Sequence, residues 1–286
     1  MEGGKGTRLS PRTWASPNPM VPLVNRPMLE HVIDLLKLHG FCDILATLYY
    51  MPEVIMDYFG QGERFGVSMD YAVEDTPLGT AGSVKACEHL LDSTFLVISG
   101  DALTDINLTE AVEFHKAKGA IATIVLTRVT SPLEYGVVIT DDDGRITRFL
   151  EKPSWSEVFS DTVNTGIYVL EPDVLRLFDP GVEFDFSKNL FPLILKKGLP
   201  LFGYVAQGYW SDVGNIDQYR QTHYDILQGL VRVRIPGEEI AKGIYIGRGT
   251  EIHPSAKLDA PVIIGDFCRI RRGVEIGSST VIGHNN

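Results

Sequence analysis

The stretch Gly3-Gly4-Lys5-Gly6-Thr7-Arg8-Leu9 joins glycines to a hydroxyl and two cations. Glycines let backbone N–H groups close on a phosphate, and an arginine can hold its oxygens by a two-pronged bond. It is not the P-loop, because no Gly-Lys-Ser/Thr closes it. Asp101 follows the apolar run Phe95 to Ile98, so its carboxylate stands where a buried strand should end. Other candidates read as structural. His31 and His39 lie within or at the end of a helical pattern and are solvated or helix-end residues rather than ligands. Asp141-Asp142-Asp143-Gly144 resembles part of a calcium loop, but Ile139 occupies the first ligand position, which leaves a hairpin turn. Cys42, Cys87 and Cys268 lack metal-ligand spacing and point to a reducing, cytoplasmic setting.

Such groups need a scaffold, and up to about residue 230 strand-like runs alternate with helical patterns. Leu29, Val32, Ile33 and Leu36 recur at helical spacing, with Gly40 as the stop. Ile44 to Leu48 reads as a strand, then a helix near Glu53 to Phe59 and a strand near Ser68 to Val73. A helix from Gly79 to Leu91, a strand Thr94 to Ser99, a helix Leu108 to Lys118 and a strand Ala120 to Val129 follow. The alternation predicts an α/β class with a Rossmann-like, mostly parallel sheet and ligands at the carboxyl ends of its strands. Further on, Val137 to Thr140 and Arg145 to Leu150 flank Asp143-Gly144 as a hairpin. Thr162 to Leu170 reads as a strand, and Phe186 to Lys197 and Asn215 to Leu227 as helices.

From Ile240 the period becomes six: Ile240, Ile246, Ile252, Leu258, Ile264, Ile270, Ile276 and Ile282 are all aliphatic, and glycine follows at 247, 265, 277 and 283. That repeat predicts a short left-handed parallel β-helix over 231–286, after an α/β domain over 1–230, with the boundary near Pro236-Gly237. At ~18 residues per coil the repeat is too short to carry a hexapeptide-repeat acyltransferase site. The open end of a β-helix favours self-association into a homo-oligomer.

The net charge is −11 and hydrophobic residues make up 44% of the 286-residue chain. No basic stripe suits nucleic acid. No apolar run approaches the ~20 residues that span a membrane. The expected partners are small molecules.

The opening stretch is followed in order by Pro17-Asn18-Pro19-Met20-Val21-Pro22, Leu78-Gly79-Thr80-Ala81-Gly82 and Ser99-Gly100-Asp101. Then come Glu134-Tyr135-Gly136, Glu151-Lys152-Pro153, Asn164-Thr165-Gly166 and Tyr209-Trp210-Ser211-Asp212-Val213-Gly214. Through these motifs nearly the whole chain resembles the sugar-nucleotidyltransferase family. The resemblance implies condensation of a nucleoside triphosphate with a sugar 1-phosphate and release of pyrophosphate, the nearest pattern being GTP with mannose 1-phosphate to give GDP-mannose. It implies that Gly3, Gly4, Gly6, Thr7 and Arg8 hold the nucleotide, Arg8 in a catalytic role. Asp101 and Asp212 become catalytic ligands of Mg²⁺. Gly79 and Thr80 would pack on the nucleotide, while Gly136, Glu151, Lys152 and Asn164 would contact the sugar phosphate. Glu74 falls at the base-reading position. Guanine offers two adjacent donors that one carboxylate accepts together, whereas uracil and thymine offer one donor between two carbonyls.

Two departures bear on activity. Only Met1 and Glu2 precede Gly3, so the family's first strand has no counterpart, and a slot flanked by unpaired backbone is expected. Asn18 stands where the family carries a lysine, which removes a positive charge from the phosphates and should slow the reaction. The chain also stops within the repeat at Asn286. The competing readings are a glucose-1-phosphate nucleotidyltransferase using UTP, dTTP or ATP, and a catalytically impaired nucleotide-sugar-binding regulatory subunit.

Overall fold

The computed structural model describes residues 16–129, 135–151 and 160–286. A hairpin of two short strands, β1 (Pro22–Leu23) and β2 (Arg26–Pro27), leads into helix α1 (Met28–Leu38). Val32, Ile33, Leu35 and Leu36 of α1 are buried on the face their spacing marks out. Strand β3 (Asp43–Leu48), helix α2 (Pro52–Phe59) and strand β4 (Ser68–Val73) form a βαβ unit whose strands pair in parallel. Helix α3 (Gly79–Ala86), strands β5 (Phe95–Ile98) and β6 (Leu103–Thr104), helix α4 (Leu108–Lys118) and strand β7 (Ala122–Arg128) follow. Then come β8 (Gly136–Thr140), β9 (Ile146–Glu151), β10 (Thr162–Leu170), helix α5 (Phe191–Lys196), β11 (Leu201–Val205), β12 (Trp210–Ser211) and helix α6 (Ile216–Leu227).

The class is α/β, but the pairing is mixed where a mostly parallel sheet was expected. β11 lies parallel to β7, whereas β10 is antiparallel to β5, β7 and β8, and β8 to β9. A parallel neighbour needs a long crossover, and the tight Asp143-Gly144 turn instead forces β9 straight back along β8. Successive residues of β7 serve opposite layers. Ile124 and Leu126 pack with Phe186, Phe191 and Ile194, while Val125 packs with Leu36, Leu108 and Ala111. Among the described residues β3 and β4 stand apart from the six-stranded sheet. A cavity of about 620 Å³, lined by Ile44, Ala46, Leu96 and Val97 among others, lies between β3 and β5.

Two helices differ from their predicted extents. α3 stops at Ala86 and a tight turn covers Glu88–Leu90, of which Leu90 is exposed. A helix predicted over 186–197 begins with a wide π turn, Phe186–Leu190, before α5. Pro192, in the first turn of α5, has no N–H to give to a regular helical ladder.

After α6 come β13 (Glu238–Ala241), β14 (Ile244–Ile246), β15 (Glu251–Ile252), β16 (Lys257–Leu258), β17 (Val262–Ile264), β18 (Arg269–Ile270), β19 (Glu275–Ile276) and β20 (Thr280–Ile282). β14, β17 and β20 pair in parallel, as do β15 with β18 and β16 with β19. These three faces make a coil in which Ile246, Ile264 and Ile282 stack, Ile252 lies beside Ile270, and Leu258 beside Ile276. Ile240 does not join them. β13 runs antiparallel to β14, outside the coil, and leaves Ile240 56% exposed. No helix among the described residues is long and apolar enough to cross a membrane.

Candidate active site

Asp101 sits on the turn that leaves β5. The Ser99 N–H donates to the Gly166 carbonyl of β10 (3.1 Å), and the Ser99 hydroxyl donates to Asp101 Oδ1. Gly166 has a left-handed φ of +77°, and a Cβ there would lie 3.1 Å from the Ser99 Cβ, so a side chain would push β10 off the Asp101 turn. Just beyond, β6 pairs antiparallel with β12, Leu103 facing Ser211. Asp212 follows Ser211 directly, and Asp101 stands two residues before Leu103. The strand pair thus brings together two segments distant in sequence, one carrying Asp101 and the other Asp212, both of them half-buried.

Asp212 is oriented from one side by a residue to which the sequence reading gave no role. The Tyr135 hydroxyl donates to Asp212 Oδ1 (3.3 Å) and accepts from Gln218 Nε2 (3.2 Å). Its ring stands edge-on to Trp210, centroids 5.3 Å apart, and the Trp210 indole N–H donates to the Thr165 carbonyl (2.9 Å). Tyr135 belongs to the Glu134-Tyr135-Gly136 motif, yet a phenol carries no acid–base signal at neutral pH that would single it out.

Three candidate sugar contacts fall on one line across the sheet. Gly136 is paired with Glu151, and Val137 with both Leu150 and Val163, so the same register brings Asn164 opposite Gly136. The Asn164 amide donates to Tyr168 Oη (3.0 Å) and Ser187 Oγ (3.1 Å), and its Oδ1 accepts from the Gly166 N–H (2.9 Å). These bonds hold the irregular stretch of β10 between Asn164 and Tyr168.

Glu74 follows directly on β4. Its Oε2 accepts the Leu78 N–H (3.0 Å), which closes the loop that enters α3. Gly79 has φ +72°, and a Cβ there would meet the Phe184 carbonyl oxygen at 2.7 Å. The Thr80 hydroxyl donates to Asp185 Oδ2 (2.8 Å) and accepts the Phe186 N–H (3.0 Å). The Thr80 side chain therefore faces the protein and clamps α3 to the 184–186 segment. Asp185 and Ser187, which connect Thr80 to Asn164, went unnoticed in the sequence because neither belongs to a motif. Burial first, and the Glu74 carboxylate second, push the Cys87 thiol above its ordinary pKa, which removes it as a nucleophile.

Gly3, Gly4, Gly6, Thr7, Arg8 and Lys152 lie outside the described residues, as does the side chain of Glu151. Asn18 opens a short turn, Asn18–Met20, and its Oδ1 is buried without a hydrogen-bond partner among the described residues. His31 is not solvated as its helical position suggested. It is 4% exposed, its Nε2 lies 3.1 Å from the Leu23 carbonyl, and its Nδ1 has no partner among the described residues. Among the described residues no group of three or more His, Cys, Asp or Glu side chains gathers in a metal-binding arrangement.

An α/β sheet with Asp101 and Asp212 beside the β6–β12 pair, a glycine-entered helix and a polar line across β8–β10 has the layout of α/β proteins that bind ligands at strand ends. The comparison with known families narrows this: the model described as "Nucleotidyl transferase" matches residues 1–229, and the chain belongs to that family of nucleotidyl-transferring enzymes. It is 38% identical to a UTP–glucose-1-phosphate uridylyltransferase of Synechocystis sp., over 99% of this chain and 77% of that protein. It is 32% identical to a mannose-1-phosphate guanylyltransferase of Mycobacterium tuberculosis, over 96% and 81%. A mannose-1-phosphate guanyltransferase of Candida albicans is 37% identical over 90% and 71%. Among solved structures, HddC from Yersinia pseudotuberculosis complexed with GMP-PN superposes with a TM-score of 0.67 at 26% identity, over 78% of this chain and 96% of that one.

Proposed function

We propose that this enzyme transfers the guanylyl group of GTP to mannose 1-phosphate, giving GDP-mannose and pyrophosphate, with Mg²⁺ as its cofactor. The observation that supports the reading is the β6–β12 pairing, which sets the segments carrying Asp101 and Asp212 side by side. Two half-buried carboxylates form a hard oxygen donor set that suits Mg²⁺, a metal bound through one or two carboxylates with water and phosphate oxygens completing its shell. The chemistry that bound Mg²⁺ supplies is neutralisation of charge on the phosphate oxygens.

In the reaction a phosphate oxygen of the sugar phosphate forms a bond to the α-phosphorus of GTP as the bond from that phosphorus to the bridging oxygen breaks. Pyrophosphate departs on the opposite side. Little covalent work falls to side chains, and catalysis rests on alignment and charge. Asp101 and Asp212 would hold the metal, with Tyr135 aiming Asp212, and Gly136, Glu151 and Asn164 would receive the sugar. Lys152 and Arg8 would bring positive charge to the phosphates. Glu74, with one oxygen anchored by Leu78, accepts the N1–H and N2–H of guanine. The guanylyltransferase names of several relatives support this choice of base and sugar.

A second reading, transfer from UTP to glucose 1-phosphate, draws on the Synechocystis relative. One assay separates the two. Purified protein with Mg²⁺ is given each nucleotide and sugar phosphate pair, and pyrophosphate release is followed. GTP with mannose 1-phosphate should give the highest kcat/KM. Highest turnover of UTP with glucose 1-phosphate selects the second reading. Absence of pyrophosphate from folded protein, and from an Asn18→Lys variant, rejects both and leaves a binding subunit.

A further inference from the structure

β1 and β2 are joined by Val24 and Asn25, both at positive φ (44° and 68°), a two-residue turn of the type I′ class. Asparagine adopts that conformation readily, whereas a β-branched valine is an outlier there. A second β-branched outlier is Val213, the residue after Asp212, with φ 39°. Both are fully buried and belong to one apolar cluster with Leu23, Leu103, Tyr219 and Ile226. Leu103 is two residues from Asp101. Strained residues persist only where their surroundings over-determine them.

What closes this cluster comes from the C-terminal coil. Along β14, β17 and β20 the stacked isoleucines and Val262 point inward, but Tyr245, Ile263 and Val281 alternate to the other face. They align on successive rungs, Tyr245 beside Ile263 and Ile263 beside Val281, and all three pack in the Val24–Val213 cluster, Ile263 with no exposed surface. The hairpin tip is bonded to the coil and to α6. Asn25 Nδ2 donates to the Ile282 carbonyl (2.8 Å), and the Val24 N–H donates to His223 Nε2 of α6 (3.2 Å).

We infer that the Tyr245–Ile263–Val281 column is a positioning device for the aspartate pair. Seated on Val24 and Val213, it holds both valines in left-handed conformations and thereby fixes the β6–β12 approach that presents Asp101 and Asp212. The coil is then part of the active site's support and more than an appendage. The inference rests on the reading of Asp101 and Asp212 as the metal pair.

The test uses the full chain with Ile263→Ala, a truncation outside the coil's own interior, and Ile263→Leu as the conservative variant. Val281→Ala, at a half-buried position of the column, substitutes should Ile263→Ala not fold. Without substrates, backbone deuterium uptake at residues 102–104 and 210–214 should quicken about tenfold in the alanine variant, while β7 and β10 exchange as before. With substrates, half-saturation by Mg²⁺ should rise about tenfold with nucleotide KM little changed, and Ile263→Leu should restore both readouts. Native exchange at 210–214 in a folded alanine variant overturns the inference. Failure of the underlying reading shows separately, as a native Mg²⁺ response in Asp101→Asn and Asp212→Asn.

Discussion

The phenol of Tyr135 stands between Gln218 and Asp212, and no pattern of residue types announces that position. Tyr135→Phe should lower kcat about tenfold with little change in sugar-phosphate KM, because groups that orient a metal ligand carry effects of that order. Steady-state kinetics on the two proteins gives the answer. Glu74→Gln removes one acceptor and supplies a donor. The ratio of kcat/KM for GTP over UTP should fall about tenfold, a loss typical of one mispaired hydrogen bond in a binding site. Competition between the two nucleotides reads it directly. Asp101 was legible as a candidate because a carboxylate at a strand end carries its chemistry in its type, while Asp212 and Glu74 were candidates only through the family resemblance. Tyr135, Asp185 and Ser187 were not, because their roles exist only through partners that the fold brings near.

α3 shows how a candidate ligand loop also serves the fold. The glycine and threonine that open it are candidate nucleotide contacts, and the Thr80 hydroxyl bonds to Asp185 and the Phe186 N–H. Gly79→Ala should cost about 2–3 kcal/mol of stability, since it adds left-handed strain to a clash with the Phe184 carbonyl. A urea midpoint shift at unchanged slope would show this, whereas an unshifted midpoint would mean the loop yields. The coil was readable for a simpler reason: a six-residue aliphatic period leaves little choice but to stack. Ile240 broke the period because β13 folds back against β14 before the first rung. The parallel sheet was over-read, since alternating strands and helices do not reveal that one tight hairpin turns β9 back against β8 and that β10 runs the same way as β9.

At the scale of the whole molecule, a buried polar network ties α1 to the segment leading to the coil. The Arg26 guanidinium binds Glu30 and Asp34 and donates to the Arg234 carbonyl (3.0 Å). His31 beside it is held down to a pKa of about 4, by burial first and the Arg26 charge second. An unfolded imidazole takes a proton near 6.5, so between about pH 6.5 and 4 the unfolded chain binds more protons. The stability from neutral His31 is therefore full above that window and drains away as pH falls through it. Its share of the loss between pH 7 and pH 5 should be about 2 kcal/mol. A His31→Gln variant should show a pH slope flatter by that amount in urea titrations, and an equal slope would assign the acid sensitivity elsewhere.

The central claim is that Asp101 and Asp212 jointly hold a divalent ion against the nucleotide. Anomalous diffraction from crystals grown with Mn²⁺ and GTP tests it most directly. One peak within about 2.3 Å of a carboxylate oxygen from each aspartate is the expected result. A nucleotide bound in the cleft with the peak on other residues, or on neither aspartate, would contradict the account.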